Sequence, residues 1–93
     1  MSVTLVGGMD RLRASYLAAA MRLGHNLKVL SKNEANFMDK AGTPDLYIVF
    51  TNKISHEARR KAKKLASAKN IPIKFVHSCG VSTLEECLSA LNS

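Results

Sequence analysis

Residues 46–56 have the sequence Leu46-Tyr47-Ile48-Val49-Phe50-Thr51-Asn52-Lys53-Ile54-Ser55-His56. The first five residues are the most continuous apolar run of the chain, which is typical of a parallel strand that is covered on both faces. A short polar junction follows, and Ser55 can cap a helix over about residues 56–69. The stretch therefore predicts a central strand that leads into a helix, as in α/β folds.

Two other apolar runs end in a similar polar junction. One junction is Val6-Gly7-Gly8-Met9-Asp10-Arg11, and the other is His77-Ser78-Cys79-Gly80-Val81-Ser82-Thr83. If the strands are parallel, all three junctions lie at the same edge of one sheet, where open α/β folds bind their ligands. We therefore expect a ligand site at the carboxyl ends of the strands.

The apolar pattern predicts four strands that alternate with four helices in a single domain of residues 1–93. The predicted strands are Val3–Val6, Leu27–Leu30, Leu46–Phe50 and Ile71–Val76. The predicted helices cover residues 10–23, a short segment with Phe37, Met38 and Ala41, residues 56–69, and a final segment with Leu84, Cys87, Leu88 and Leu91 facing inward. The expected caps besides Ser55 are Asp10 or a neighbour, Ser31 and Ser82.

Charged residues inside two of the strands predict the order of the sheet. Lys28 and Lys74 interrupt the second and fourth strands, whereas the first and third strands contain no lysine. Lysine is a common protection of edge strands against pairing with other chains. The expected architecture is a single Rossmann-like α/β domain, with a four-stranded parallel sheet of order 2-1-3-4 and helices on both faces.

The composition is that of a small globular protein. Of the 93 residues, 46% are apolar and 23% are charged, and no run approaches the roughly 20 apolar residues of a membrane span. The first residues lack the basic and apolar segments of a signal peptide. Two cysteines are too few for a disulfide scaffold. We therefore expect a cytoplasmic protein.

The junctions can hold an anion through backbone N–H groups and side-chain donors. Gly7-Gly8 lets a ligand approach the backbone at the start of a helix, and Arg11 can donate two hydrogen bonds; the alternative is a tight turn with a surface arginine. The sequence contains neither the dinucleotide fingerprint nor a Walker lysine. The candidate ligand-binding residues are Gly7, Gly8, Arg11, Thr51, Ser55, His56, Ser78, Gly80, Ser82 and Thr83.

Three side chains near this edge can ligate a metal. His56 is expected at the first position of a helix, where the helix dipole favours neutral imidazole, and His77 and Cys79 leave the last strand two residues apart. Two ligands are too few for a closed zinc site, whereas haem needs one or two. His56, His77 and Cys79 are therefore candidate haem-iron ligands. The alternatives are histidines that order their own loops and a half-buried thiol.

A basic segment supplies much of the net charge of +7. Six of the fourteen basic residues are Lys53 and those of Arg59-Arg60-Lys61-Ala62-Lys63-Lys64. Such a helix can bind nucleic acid or another acidic partner, or it can be a solvated face that lies away from the three junctions. A separate expectation is self-association, because an alanine-rich first helix and exposed Met9, Met21 or Met38 would suit a homodimer.

The second and third junctions also carry a known pattern. The motifs are Thr51-x-x-x-Ser55-His56, a basic helix, Ile71-Pro72 with its strand, and Ser78-x-Gly80-x-Ser82-Thr83-Leu84. Together with Val6-Gly7-Gly8 they resemble the bacterial family catalogued as domain of unknown function 2325, over nearly the whole chain. The resemblance implies a small cytoplasmic Rossmann-like domain in which His56 and the loop Ser78–Thr83 are hallmarks. Relatives carry a basic or serine residue in place of Cys79, so a ligand role for Cys79 would belong to a subset.

These features favour a non-catalytic module that holds an anionic small molecule or cofactor at the carboxyl ends of the strands. One alternative is a haem-binding protein with a His or Cys axial ligand. Another is a nucleic-acid-associated accessory protein that uses the basic helix 56–69. Catalysis by Cys79 or His56 is less favoured, because no Cys-x-x-Cys spacing supports redox work.

Overall fold

Strand β3 (Leu46–Phe50) lies in the interior of a four-stranded parallel sheet, and all five of its residues are buried. The computed structural model describes residues 1–31 and 42–92. Within these ranges the other strands are β1 (Ser2–Gly8), β2 (Asn26–Ser31) and β4 (Ile73–Val76). The strand order is β2-β1-β3-β4, and every pair is parallel. The predicted order and direction are therefore confirmed.

Three α-helices in the described ranges cover both faces of this sheet. Helix α1 (Arg13–Arg22) follows a 3-10 turn at Asp10–Leu12, and helix α2 (His56–Ala68) follows a 3-10 turn at Thr51–Lys53. Helix α3 (Val81–Leu91) comes last. The predicted helix with Phe37, Met38 and Ala41 lies outside the described residues. Helices α1 and α3 pack on one face and α2 on the other, so the Rossmann-like arrangement is confirmed.

Alternation along the strands divides the core into two layers. Leu5, Ile48 and Phe50 point to the α1 and α3 side, where they join inward residues of both helices. On the other side, the apolar side chains of the sheet meet Ala62 and Ala66 of α2. Because alanine is small, α2 can approach the sheet closely, and this places its first turn directly beside the ends of β3 and β4.

Lysines mark both edge strands, as predicted. Lys28 of β2 and Lys74 of β4 are exposed, whereas β1 is buried from Val3 onward. Charged side chains at these positions oppose pairing with another chain. Across residues 1–31 and 42–92, no helix has the length and apolar character needed to cross a membrane.

The starts of two helices differ from the predictions. Ser55 caps α2 as expected, since its Oγ accepts a hydrogen bond from the Ala58 N–H at 3.1 Å. The prediction of a cap by Asp10 or a neighbour is wrong, because Met9 and Leu12 are the N-caps of the 3-10 turn and of α1, and neither side chain makes a capping hydrogen bond. The prediction of a Ser82 cap is also wrong, because α3 already begins at residue 81 and Gly80 is its N-cap.

Candidate anion-binding site

The first glycine of the first junction is required by the fold itself. Gly7 has φ of +86°, and a Cβ there would lie 2.6 Å from the Phe50 carbonyl oxygen and 2.7 Å from Ile54 Cγ2. A Cβ at Gly8 would lie 3.0 Å from Tyr16 Cε2. The end of β1 therefore packs against its neighbours only because Gly7 has no side chain, and a side chain at Gly8 would require a small shift of Tyr16. Packing explains Gly7 without a ligand.

Tyr16 joins the first junction to the third. It is fully buried, and its hydroxyl donates to the Cys79 carbonyl at 2.6 Å and accepts from the Met9 N–H at 3.3 Å. Its ring lies against Phe50, with 5.9 Å between ring centres. Burial raises the pKa of the Tyr16 phenol above its ordinary value of 10.0, so the hydroxyl keeps its donated proton at neutral pH. Tyr16 thus holds the ends of β1, β3 and β4 together.

The hydroxyl groups of the second junction bind within the chain. Thr51 Oγ1 donates to the Val76 carbonyl at 3.5 Å, and the Asn52 N–H donates to the His77 carbonyl at 3.2 Å. Ser55 Oγ is occupied as the cap of α2. These bonds fasten the end of β3 to the end of β4. Thr51 and Ser55 therefore have structural roles at this edge.

The third junction combines a local turn with exposed polar groups. Ser78 Oγ accepts a hydrogen bond from the Gly80 N–H at 3.3 Å. Ser82 is exposed in the first turn of α3, and Thr83 is half-buried. Arg11 is exposed in the turn before α1, where its Nη2 lies 4.0 Å from Met9 Sδ. Arg11 and Ser82 thus face solvent near the carboxyl edge, and their ligand roles stay predictions.

His56 lines a groove between α2 and the edge strand β4. This α2–β4 groove has a volume of about 530 Å³ and is lined by His56, Arg59, Arg60, Lys63 and Phe75. Phe75 pairs in register with Val49, one residue before the end of each strand. His56 is the first residue of α2. The groove therefore starts at the carboxyl edge of the sheet and follows the helix from there.

The α2–β4 groove combines positive charge with one aromatic ring. Its cations are Arg59, Arg60 and Lys63, and none of the described lining residues is acidic. The Arg59 guanidinium carbon lies 5.2 Å from the centre of the Phe75 ring, a cation–π contact that orients the guanidinium. The amino end of α2 adds the partial positive charge of the helix dipole. This arrangement attracts anions and can donate several hydrogen bonds to a phosphate or a carboxylate.

The candidate haem ligands differ in exposure. His56 and His77 are exposed, whereas Cys79 is half-buried and packs against the apolar cluster of α1 and α3. In the part of the chain that the structure describes, no three or more His, Cys, Asp or Glu side chains group to hold a metal ion. Axial ligation of haem needs only one or two residues. Haem binding by His56, His77 or Cys79 therefore stays a prediction.

Two features of this edge were not predicted from the sequence. One is the hydrogen bond from the Tyr16 hydroxyl to the Cys79 carbonyl, because nothing in the sequence near Tyr16 shows that it reaches this residue. The basic helix was expected to carry its charge away from the junctions, but Arg59 and Arg60 line the same groove as His56. The signal was available in the spacing: positions 56, 59, 60 and 63 follow the i, i+3, i+4, i+7 pattern of one helix face.

Several solved structures of other proteins resemble the fold of this chain. No curated protein matches the sequence significantly. Among solved structures, the lactose-specific IIB component domain of the phosphoenolpyruvate:carbohydrate phosphotransferase system from Streptococcus pneumoniae is similar, with a TM-score of 0.70 and 15% identity over 99% of this chain and 94% of that chain. A de novo designed Rossmann fold protein has a TM-score of 0.64 and 16% identity over 95% and 93%. A designed Rossmann 2x2 fold protein has a TM-score of 0.62 and 15% identity over 98% and 86%.

At these identities the likenesses concern the fold alone. The sequence itself matches one family model over residues 2–91, which is almost its whole length. The chain belongs to the family described as an uncharacterized protein conserved in bacteria, DUF2325.

Proposed function

We propose that this protein is a non-catalytic binding module that holds a phosphate-bearing ligand in the α2–β4 groove. The observation that carries the proposal is the lining of the groove: three cations and an imidazole surround one aromatic ring, with no carboxylate among the described lining residues. A ligand that is both anionic and partly planar fits such a lining, as a nucleotide does.

Each cation has a distinct use toward a phosphate. Arg59 and Arg60 can each donate two parallel hydrogen bonds to phosphate oxygens, and Lys63 acts as a point charge. The contact with Phe75 holds the Arg59 guanidinium in one orientation before a ligand arrives, which lowers the entropy lost on binding. His56 adds a donor at the amino end of α2. These contacts support recognition of an anion more strongly than they support a reaction, because no hydroxyl, thiol or carboxylate group is among the described lining side chains to act beside His56 and Lys63.

The proposed site still begins at the carboxyl edge of the sheet, as expected, but most of the residues proposed to bind the ligand differ from the predicted set. His56 is shared with the predicted set, whereas the hydroxyls of Thr51, Ser55 and Ser78 have partners in the chain. Arg11 precedes α1, and α1 packs on the face of the sheet opposite α2. The groove therefore accounts for anion binding without Arg11.

Calorimetric titration and thermal unfolding with adenosine monophosphate, inorganic phosphate and uncharged adenosine would test the proposal. We expect adenosine monophosphate to bind and to raise the unfolding midpoint, inorganic phosphate to bind more weakly, and adenosine to have little effect. Arg59→Ala should weaken nucleotide binding by about ten-fold, because it removes a charge-assisted contact worth roughly 1.5 kcal/mol.

Arg13→Ala is the matched control, since it removes the same charge from an exposed position on α1, on the other face of the sheet. It should leave nucleotide affinity within about two-fold of the original value, as expected for a distant surface charge. If no phosphate compound binds, the proposal is wrong. If Arg13→Ala and Arg59→Ala weaken binding equally, binding reflects net charge and not the groove.

A further inference from the structure

Two more concave surfaces border the same helix, one further along it than the α2–β4 groove and one beside the groove. One has a volume of about 570 Å³ and is lined by Arg60, Lys63, Lys64, Ser67 and Ala68. The other has a volume of about 270 Å³ and is lined by Glu57, Arg60, Lys61 and Lys64. Arg60 borders all three surfaces. They therefore form one continuous surface, the cationic track, which consists of these three sets of lining residues.

The cationic track is longer than one small anion needs. It extends from the first residue of α2, His56, to the last, Ala68. At a rise of 1.5 Å per residue this distance is about 18 Å. A mononucleotide can fill the α2–β4 groove, but it leaves the two further surfaces empty. A ligand that fills all three must carry several anionic groups on one chain.

The described lining of the track carries more positive charge than negative charge. Five of the fourteen basic residues lie at positions 59–64. The one acidic residue among the described lining positions is Glu57, and its carboxylate already pairs with Lys61 at 3.2 Å. A row of unbalanced cations binds phosphodiester chains strongly, because each contact releases condensed counterions from the nucleic acid.

An aromatic stack at one end of the track indicates which nucleic acid fits. Phe75 is half-buried, lines the groove, and carries Arg59 over its ring at 5.2 Å. Unpaired bases stack on aromatic rings and on arginine planes. The bases of a duplex are already stacked on one another and cannot reach such a pair. A single strand offers both the free base and the phosphate chain.

We infer that the cationic track binds single-stranded nucleic acid, with a base against the Arg59–Phe75 pair and successive phosphates along Arg60, Lys63 and Lys64. The inference rests on the proposed function, because the α2–β4 groove receives the first base and phosphate. It adds the class of the ligand and the direction in which the ligand continues.

Fluorescence anisotropy with a labelled oligonucleotide of about 12 nucleotides would test this inference. Adenosine monophosphate and a duplex of the same length serve as comparison ligands. We expect the single strand to bind more tightly than both, and its affinity to fall with salt between about 50 and 200 mM. The slope of log affinity against log salt should be about −2, as three phosphate contacts imply.

Two variants locate the contacts. Lys64 borders both further surfaces and not the α2–β4 groove, so Lys64→Ala should weaken oligonucleotide binding by about two- to five-fold and affect adenosine monophosphate less. Phe75→Leu retains apolar volume and removes the ring, and it should weaken oligonucleotide binding by about five-fold or more. Arg13→Ala is again the charge-matched control, and circular dichroism checks that each variant is folded.

The possible outcomes separate the two proposals. If adenosine monophosphate binds but the oligonucleotide binds no more tightly, the inference fails and the proposed function stands. If neither binds, both fail. Equal affinity for the duplex overturns the assignment to single strands. Equal effects of Lys64→Ala and Arg13→Ala overturn the assignment to the cationic track.

Discussion

Removal of the Tyr16 hydroxyl should destabilise the protein more than removal of the other tyrosine hydroxyl in the chain. Tyr16→Phe retains the buried ring and its contact with Phe50, and deletes an oxygen that donates to the Cys79 carbonyl at 2.6 Å and accepts from the Met9 N–H at 3.3 Å. Both lost bonds connect the carboxyl ends of strands that are far apart in the sequence. The change therefore tests directly whether Tyr16 bridges the end of β1 and the loop after β4.

The expected loss follows from the number of bonds. One hydrogen bond contributes about 0.5–1.5 kcal/mol net, and the longer bond to Met9 is expected at the low end of that range. Tyr16→Phe should thus lower the free energy of unfolding by about 2 kcal/mol. For a domain of this size that corresponds to a fall in Tm of about 8–16 °C.

Tyr47→Phe is the matched control. Tyr47 is also buried, but its hydroxyl makes one described bond, to the Gly42 carbonyl at 2.9 Å. Its removal should cost about 1 kcal/mol. Urea unfolding gives both values, and hydrogen exchange of the Met9 amide should accelerate in Tyr16→Phe alone. Equal losses of unfolding free energy in the two variants, or an unchanged exchange rate of the Met9 amide, would refute this bridging role of Tyr16.

Other perturbations test the packing and the buried polar groups. Gly7→Ala should cost about 3 kcal/mol or more, because its Cβ would lie 2.6 Å from a carbonyl oxygen in addition to the strain of a positive φ. Gly24→Ala, with φ of +81° and open space around the Cβ, should cost about 1–2 kcal/mol, and equal losses in urea unfolding would contradict the packing argument. His25→Leu should leave the unfolding midpoint unchanged or raise it, because neither imidazole nitrogen of this buried residue has a hydrogen-bond partner in the described part of the chain; a loss above about 1 kcal/mol would disprove this. Stability should fall above pH 10, because burial raises the pKa of both tyrosines in the folded state above 10.0. The unfolded chain therefore releases these two protons at a lower pH than the folded protein does. The free energy of unfolding should decrease by up to about 1.4 kcal/mol per pH unit for each tyrosine. Tyrosinate absorbance follows this titration, and a native protein that ionises its tyrosines at pH 10 or below would contradict it.

The order of the sheet could be predicted because the exposure of each strand is encoded in its own residues. A strand between two neighbours and two layers of helix is mostly apolar, as β3 is throughout. A strand at an edge tolerates a lysine, as β2 does at Lys28 and β4 does at Lys74. Neither inference requires knowledge of a distant residue, so local pattern was sufficient.

The contacts at the carboxyl edge could not be predicted in this way, because each depends on residues from separate elements. The need for glycine at Gly7 arises from Phe50 and Ile54, which follow more than forty positions later. The bond from Tyr16 to Cys79 spans an even longer separation. Such requirements appear only when the strands are assembled. The spacing of His56, Arg59 and Lys63 was different, since helical periodicity alone places these three on one face.

A hydroxyl or a glycine at the end of a strand can either stabilise the fold or bind a ligand. In this small protein most of these residues stabilise the fold. Thr51, Ser55 and Ser78 all close loops or cap a helix. The basic residues differ from the hydroxyls, because the chain contains fourteen basic residues and seven acidic ones. At least half of the basic residues therefore cannot each pair with a separate acidic side chain. The fold can satisfy a hydroxyl with any nearby backbone group, whereas a guanidinium keeps its net charge unless a carboxylate lies beside it. Among the described lining residues of the α2–β4 groove, Arg59, Arg60 and Lys63 have no carboxylate beside them, which is the reason we propose an external anion as their partner.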